Sequence, residues 1–177
     1  MGQIPVSALE KAMKILDRRA CSAAELGSKL LQAGFPEDEI ESAVDECKRR
    51  RFIDDTLLAE DYTTLLRMRN TGSRVIRQKL VRRGLAAEII DSALPEENSP
   101  AAEREAALRA LDYKWRLLSR ESDLRKKREK AFRYLAGRGF PSGLIFDLLN
   151  EKCRSNEEYQ GSANHYRSWQ QRRYRKT

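Results

Sequence analysis

The residues of this sequence that suggest a chemical role are clusters of positive side chains. Seven lysines and arginines fall within 17 positions, between residues 67 and 83. A second group starts at residue 125, at a predicted helix start, where positive charge opposes the helix dipole. Both groups suit phosphate binding, because neutralising phosphates releases counterions and raises affinity. From charge and placement, we select as candidate partner or nucleic-acid contacts Arg67, Arg69, Arg74, Arg77, Arg82, Lys126, Lys127 and Arg128.

The net charge of +8 is unevenly distributed. Residues 1–60 carry a net charge of −3, whereas residues 61–94, 95–150 and 151–177 carry +4, +3 and +4. A polyanionic partner would explain this balance, and so would a solvated helical surface that alternates Lys, Arg and Glu. At 166–176, arginines are interleaved with aromatic residues. These residues either bind nucleic acid, with arginines on phosphates and aromatic rings stacked on bases, or only make the tail soluble.

No combination of residues in the sequence resembles a catalytic or metal site. His165 is the only histidine, which excludes a histidine-based triad and a multi-histidine metal site. The phosphate-binding patterns GxxxxGK[ST] and GxGxxG do not occur. The acidic pair Asp54-Asp55 stands where a helix is predicted to begin, which is typical of an N-cap. We therefore expect a protein that is not an enzyme and has no cofactor.

The cysteines and the apolar segments indicate a cytoplasmic protein. Cys21, Cys47 and Cys153 are odd in number and form no CxxC motif, which fits a reducing compartment. The N-terminal residues lack the charged start and apolar run of a signal peptide. No apolar stretch approaches the roughly 20 residues that a membrane span needs. We expect no membrane partner.

Gly34, Gly84 and Gly139 occur in closely similar surroundings, at periods of 50 and 55 residues. Each follows a leucine by four positions and precedes an isoleucine by six. The leucine–glycine spacing predicts a helix that ends in a left-handed cap, which glycine adopts without a Cβ penalty. The isoleucine, with small or apolar residues three and four later, predicts the packed face of the next helix. Pro36 and Pro141 suit the first turn of that helix.

These patterns predict an all-α protein of three tandem three-helix repeats, stacked in an elongated, curved array because no single unit buries enough apolar surface. The repeats are expected at 1–50, 51–94 and 95–153, followed by a basic tail at 154–177. Capping residues mark many of the starts, and residues 95–100 form a linker. The predicted helices are 7–19, 22–33, 36–50, 55–69, 73–83, 86–94, 100–118, 122 or 123 to 139, and 141–153.

The central repeat carries a distinctive motif, and the flanking repeats agree with it. The motif reads Phe52-Ile53-Asp54-Asp55-x-x-Leu58-Ala59-x-x-Tyr62, then Gly72-x-x-x-Ile76-x-x-x-Leu80-x-x-Arg83-Gly84-Leu85 and Ile89-x-x-x-Ala93-Leu94. The first repeat adds Ser22-x-x-Glu25-Leu26 and the third adds Leu135-x-x-x-Gly139-Phe140. With this motif and the three-unit layout, residues 7–153 resemble the RecX family of regulators of the RecA recombinase. Asn70 departs from the family pattern, which often has glycine there.

The resemblance implies that the three repeats lie in the groove of the filament that RecA forms on single-stranded DNA. It also implies modulation, usually inhibition, of strand exchange, ATP hydrolysis and coprotease activity, and so a role in DNA repair, recombination and the SOS response. The expected partners are the RecA filament and single-stranded DNA, bound directly or through the filament, and the chain is expected to be a monomer. The alternative is a general nucleic-acid-binding helical protein that acts on naked DNA or RNA.

Overall fold

The computed structural model describes residues 7–94 and 100–154, and all regular secondary structure in these two ranges is helical. Within these ranges nine helices follow one another as three three-helix repeats, so the predicted all-α fold is confirmed. The predicted linker and most of the predicted tail lie outside the described residues. The helices are α1 (Ala8–Leu16), α2 (Ala23–Gln32), α3 (Glu37–Arg49), α4 (Asp55–Met68), α5 (Ser73–Arg82), α6 (Ala87–Ala93), α7 (Pro100–Leu117), α8 (Leu124–Gly137) and α9 (142–154).

The first repeat is held together by the apolar face of α2. Leu26 and Leu30, four positions apart, lie on the same side of this helix and are fully buried. Ala12 of α1 and Ala43 and Cys47 of α3 complete the core around them. Burying each leucine contributes about 1.5–3 kcal/mol, so this pair supplies a large part of the core's stabilisation.

The second repeat repeats this arrangement with different residues. Ile76 and Leu80 of α5 are both fully buried, which confirms that they form the packed face of their helix. They lie in one core with Ala59 and Leu66 of α4 and Ile90 of α6. A helix that buries one face in this way exposes the opposite face, where its polar and charged residues are found.

The third repeat has its own core, in a separate compact unit. The contacts within the chain define two units, with the division between Glu103 and Arg104. In the second unit, Leu111 of α7, Leu135 of α8 and Ile145 of α9 are fully buried in one cluster. The isoleucine six positions after the repeated glycine is therefore a core residue here, as the sequence pattern predicts.

The three repeated glycines end their helices in the left-handed conformation, as predicted. Their φ angles are 88° at Gly34, 71° at Gly84 and 91° at Gly139. In each repeat the N–H of the next residue donates to the carbonyl of the leucine four positions before the glycine, at 3.3–3.4 Å. This bond satisfies a carbonyl that the end of a helix leaves without a partner. Asn70 is also left-handed, with φ of 53°, and asparagine tolerates this conformation better than most residues.

Several helix starts confirm the sequence analysis. Ser22 and Glu25 form the complete capping box: the Ser22 hydroxyl accepts from the Glu25 N–H, and the Glu25 carboxylate accepts from the Ser22 N–H. The Asp54 carboxylate caps α4 by accepting from the N–H groups of Thr56 and Leu57, at 3.0 and 2.9 Å. A cap of this type contributes about 1 kcal/mol, so Asp54 has a structural role.

Other helix boundaries differ from the prediction by one to three residues. α1 ends at Leu16, three residues before its predicted end. Pro36 is the N-cap of α3 and precedes its first turn, while Gly72, not Ser73, is the N-cap of α5. Of the two residues proposed to open α8, Asp123 is the cap. Offsets of this size are expected because helix ends fray and their last turn often tightens, so that the terminal residue is not sharply defined.

Candidate partner and nucleic-acid interface

α5 separates apolar from basic side chains in the second repeat. Arg74, Arg77 and Arg82 lie on this helix outside the core, as predicted for Arg74 and Arg77. The Arg77 Nη1 lies 2.6 Å from the Asp91 Oδ1 of α6, in a pair that is about half exposed. An exposed ion pair of this kind is worth about 0–1 kcal/mol, so a phosphate group can replace Asp91 at little cost.

The end of α4 adds two further arginines close to α5 in sequence. Arg67 lies in the last turn of α4 and is partly buried, whereas Arg69 is the exposed C-cap residue. The left-handed Asn70 starts the short connection to α5, which begins at Ser73. Five candidate arginines therefore lie on two successive helices of one repeat, and the arginine-rich segment remains a predicted contact surface.

Arg83 belongs to the same stretch of sequence but has a structural role. Its guanidinium donates to the Glu25 Oε2 through Nη2 at 2.8 Å and Nε at 3.2 Å, and its side chain is only 15% exposed. The Nη2 group also donates to the carbonyl of Ala20 at 2.9 Å, and the guanidinium lies 5.0 Å from the centre of the Tyr62 ring. Because Glu25 and Ala20 belong to the first repeat, Arg83 joins the second repeat to the first.

Further contacts extend this junction, which we call the inter-repeat joint and define by Ser22, Ala23, Glu25, Asp55 and Arg83. The Ser22 hydroxyl donates to the Arg83 carbonyl. The Asp55 carboxylate accepts from the Ala23 N–H at 3.0 Å, so the second residue of the acidic pair holds α2 of the first repeat. The sequence predicts only a capping role for Asp54-Asp55, and this bond was not predicted because it connects residues 32 positions apart.

The contacts of the inter-repeat joint keep the Glu25 carboxylate ionised. Burial raises the pKa of its carboxyl group, and the hydrogen bonds from the Arg83 side chain and the Ser22 N–H lower it. The charges of Arg83 and Arg19 act in the same direction as these hydrogen bonds, and the pKa of Glu25 is lower than its ordinary value. The carboxylate therefore remains ionised at neutral pH and keeps its bond to Arg83.

The candidate cations of the third repeat differ in their surroundings. Lys126 is exposed, and its Nζ lies 3.8 Å from the Asp123 Oδ2. Lys127 places its Nζ 4.6 Å from the centre of the Trp115 ring, and Arg128 donates to the Asn150 Oδ1 at 2.7 Å. Lys127 and Arg128 thus also help to hold α8 against its neighbours, so Lys126 is the best placed of the three for a partner.

A third basic group, on the first repeat, was not predicted from the sequence. The net charge of −3 over residues 1–60 conceals it. The structure brings Lys11, Lys14 and Arg18 together with Lys29 around one cleft. Lys11 and Lys14, three residues apart, lie on one face of α1, and Arg18 follows the end of this helix. The spacing of the two lysines was available in the sequence.

The described part of the chain shows neither a membrane-spanning helix nor a cluster of metal-binding side chains. No helix there is both long enough and apolar enough to span a membrane. Among the same residues, no three His, Cys, Asp or Glu side chains come close enough together to hold a metal ion.

Comparison with known proteins accounts for all three repeats. The family model for the RecX first three-helix domain matches residues 8–47, the second matches 54–94 and the third matches 102–149. The chain belongs to the RecX family. Its relatives include the Regulatory protein RecX of Legionella pneumophila strain Corby, which is 32% identical over 81% of this chain and 93% of that protein. A Regulatory protein RecX of Thermus thermophilus is also 32% identical, over 86% of this chain and 96% of its own length.

Solved structures support the same fold. The crystal structure of RecX from Lactobacillus salivarius aligns with a TM-score of 0.68 over 81% of this chain and 93% of that one, at 22% identity. Another crystal structure of regulatory protein RecX gives the same TM-score over 70% of its own chain. The fold is therefore that of RecX proteins, and the relatives of this chain are named regulatory proteins.

Proposed function

We propose that this RecX-family protein binds the filament of RecA on single-stranded DNA and lowers its recombinase, ATPase and coprotease activities, without catalysing a reaction itself. The observation that carries the proposal is the succession of three RecX domains in one chain whose relatives are named regulatory proteins. The proposal includes a monomeric protein in the cytoplasm, where its partner acts.

The three-repeat architecture suits a filament as a partner. A filament presents the same surface many times, and a chain with several binding surfaces can engage more than one copy at once. Linked contacts raise the overall affinity by a factor of about 10²–10⁴ without any single tight contact. Arginines outside the core, such as Arg74 and Arg82, supply charge for phosphate or carboxylate groups of the filament.

Co-sedimentation tests filament binding directly. The full-length chain is mixed with RecA, single-stranded DNA and a slowly hydrolysed ATP analogue, and the filaments are pelleted. We expect the protein to pellet with the filaments in saturable amounts, and to stay in solution when RecA or DNA is left out. A protein that never enters the pellet would disprove filament binding.

A second candidate function is binding of naked DNA or RNA, which the three groups of basic residues favour. This function predicts tight binding to a bare strand with a steep dependence on salt. The two candidates differ in preference: a filament regulator binds the RecA-coated strand more tightly than the bare strand. Equal affinity for the two, measured at the same salt concentration, would favour the general nucleic-acid-binding function.

A further inference from the structure

A basic cleft opens on the first repeat, between α1 with the loop that follows it and α2. Its volume is about 580 Å³. Within the described residues no carboxylate lines it. The charged side chains around it are Lys11, Lys14, Arg18, Arg19 and Lys29.

The helix dipole explains only part of this concentration of charge. Lys14 lies in the last turn of α1 and Arg18 just beyond it, where cations stabilise the negative end of a helix. Lys29 lies in the last turn of α2, where the dipole of that helix stabilises it in the same way, and it lines the same cleft. Cations from separate elements repel one another when they converge, so the stability of α1 alone does not account for the arrangement.

Carboxylates of the described residues neutralise little of the positive charge of this cleft. Among the described residues, no carboxylate forms an ion pair with Lys11, Lys14 or Arg18. The Lys29 Nζ donates to the Cys21 Sγ at 3.3 Å, and no described carboxylate forms an ion pair with it. Arg19 lies 3.7 Å from a carboxylate that Arg83 already binds. The cleft therefore has positive charge available for an anionic ligand.

A second cleft lies beside the first and reaches the second repeat. This second cleft, of about 340 Å³, shares Lys29 and Gln32 with the first and is also lined by Arg82 and Arg83. Among the described residues the only carboxylate on it is that of Glu25, which Arg83 binds. We call the two clefts together the basic groove; its cations are Lys11, Lys14, Arg18, Arg19, Lys29, Arg82 and Arg83.

We propose that the basic groove binds the sugar–phosphate backbone of a single strand of nucleic acid. Glu25 pairs with Arg83 and Arg19. The five other cations of the groove, drawn from both repeats, exceed what a single phosphate group needs and suit a chain of phosphates. No aromatic side chain of the described residues lines the groove, so it offers no platform for base stacking and binding is independent of base sequence. An acidic protein surface fits less well, because protein interfaces are enriched in aromatic residues and depleted of lysine, whereas three lysines and no aromatic residue of the described residues line the groove.

The basic groove adds a nucleic-acid contact on the first repeat to the proposed function. This proposal rests on the proposed function only for where the groove would lie in the RecA filament. The test therefore uses no RecA. Fluorescence anisotropy measures binding of the full-length chain to a labelled oligothymidylate of about 30 nucleotides, over salt concentrations of about 50–200 mM. The groove variant combines Lys11→Gln, Lys14→Gln and Arg18→Gln.

A matched control removes three positive charges from the same repeat without touching the groove. Lys48, Arg49 and Arg50 lie at the end of α3 and form ion pairs with Asp45 or Glu46. Their replacement by glutamine gives the same change in net charge at another helix C-terminus. Circular dichroism establishes that both variants remain helical.

We expect the groove variant to bind the strand about 10- to 100-fold more weakly at about 0.1 M salt, and to lower the slope of log affinity against log salt by about 2. The control should retain the wild-type slope. An unchanged groove variant, or an equal loss in the control, would overturn the proposal. The proposal would also be overturned if polyglutamate displaced the labelled strand as effectively as unlabelled oligothymidylate does, with the two competitors compared at equal total charge. A wild-type chain that binds the strand but does not pellet with RecA filaments would disprove the proposed function and leave this inference standing.

Discussion

Arg83 and Glu25 join two repeats across 58 positions of sequence. The guanidinium Nη2 lies 2.8 Å from the Glu25 Oε2, and both side chains are less than one-fifth exposed. The same arginine follows α5, which carries candidate binding residues, and the same glutamate completes the capping box of α2. The inter-repeat joint thus links the start of one helix to the end of another.

Removing the arginine should destabilise the joint. Arg83→Ala leaves the Glu25 charge partly buried without its main partner, and we expect a loss of about 1–3 kcal/mol in the free energy of unfolding. Urea denaturation followed by circular dichroism measures it. The neighbouring Arg82 is exposed, so Arg82→Ala should change stability by less than about 0.5 kcal/mol. Equal effects of the two variants would show that the joint is not important for stability.

The joint should also make stability depend on pH. The pKa of Glu25 in the folded protein lies below its ordinary value of 4.5, so its contribution is complete above that value and is lost as pH falls through the folded pKa. The wild-type protein should therefore exceed Glu25→Gln in stability most at about pH 7, and the difference should shrink towards about pH 3. Urea denaturation of both proteins across this range tests the prediction. A difference that grows in acid would contradict it.

Two of the repeated glycines should respond differently to the same substitution. A Cβ atom on Gly34 would have no atom within 4 Å, whereas one on Gly84 would lie 2.5 Å from the Ala24 Cβ. Gly34→Ala should therefore cost only the left-handed backbone strain of about 1–2 kcal/mol. Gly84→Ala should cost more, because the first repeat must also move away. Equal free energies of unfolding for the two variants would show that the contact with Ala24 is unimportant.

Charge reversal on α5 tests the predicted contact surface. Arg74→Glu combined with Arg77→Glu should weaken co-sedimentation with RecA filaments by about tenfold or more, since each arginine becomes repulsive to phosphates. Circular dichroism should remain helical, because both side chains lie outside the core. Arg109→Glu with Lys152→Glu is the matched control, since both cations are paired on the third repeat. Full binding by the α5 variant would exclude this surface as a contact.

The fold could be predicted well from the sequence because its signals are local. The four-residue spacing of Leu80 and Gly84 specifies both a buried position and a left-handed cap within one turn of helix. The proposed basic groove was harder to predict, because charge averaged over 60 residues conceals how side chains group in space. Lys29 joins Lys11 only after α1 and α2 pack together, and Asp55 reaches Ala23 only after the repeats meet.

The steady-state rate of ATP hydrolysis by RecA on single-stranded DNA tests the central claim most directly. The full-length protein is titrated into preformed filaments until binding saturates, as established by co-sedimentation. Binding that regulates the filament should lower the rate progressively to a plateau well below that of RecA alone. An unchanged rate at saturation, together with unchanged strand exchange, would contradict the account.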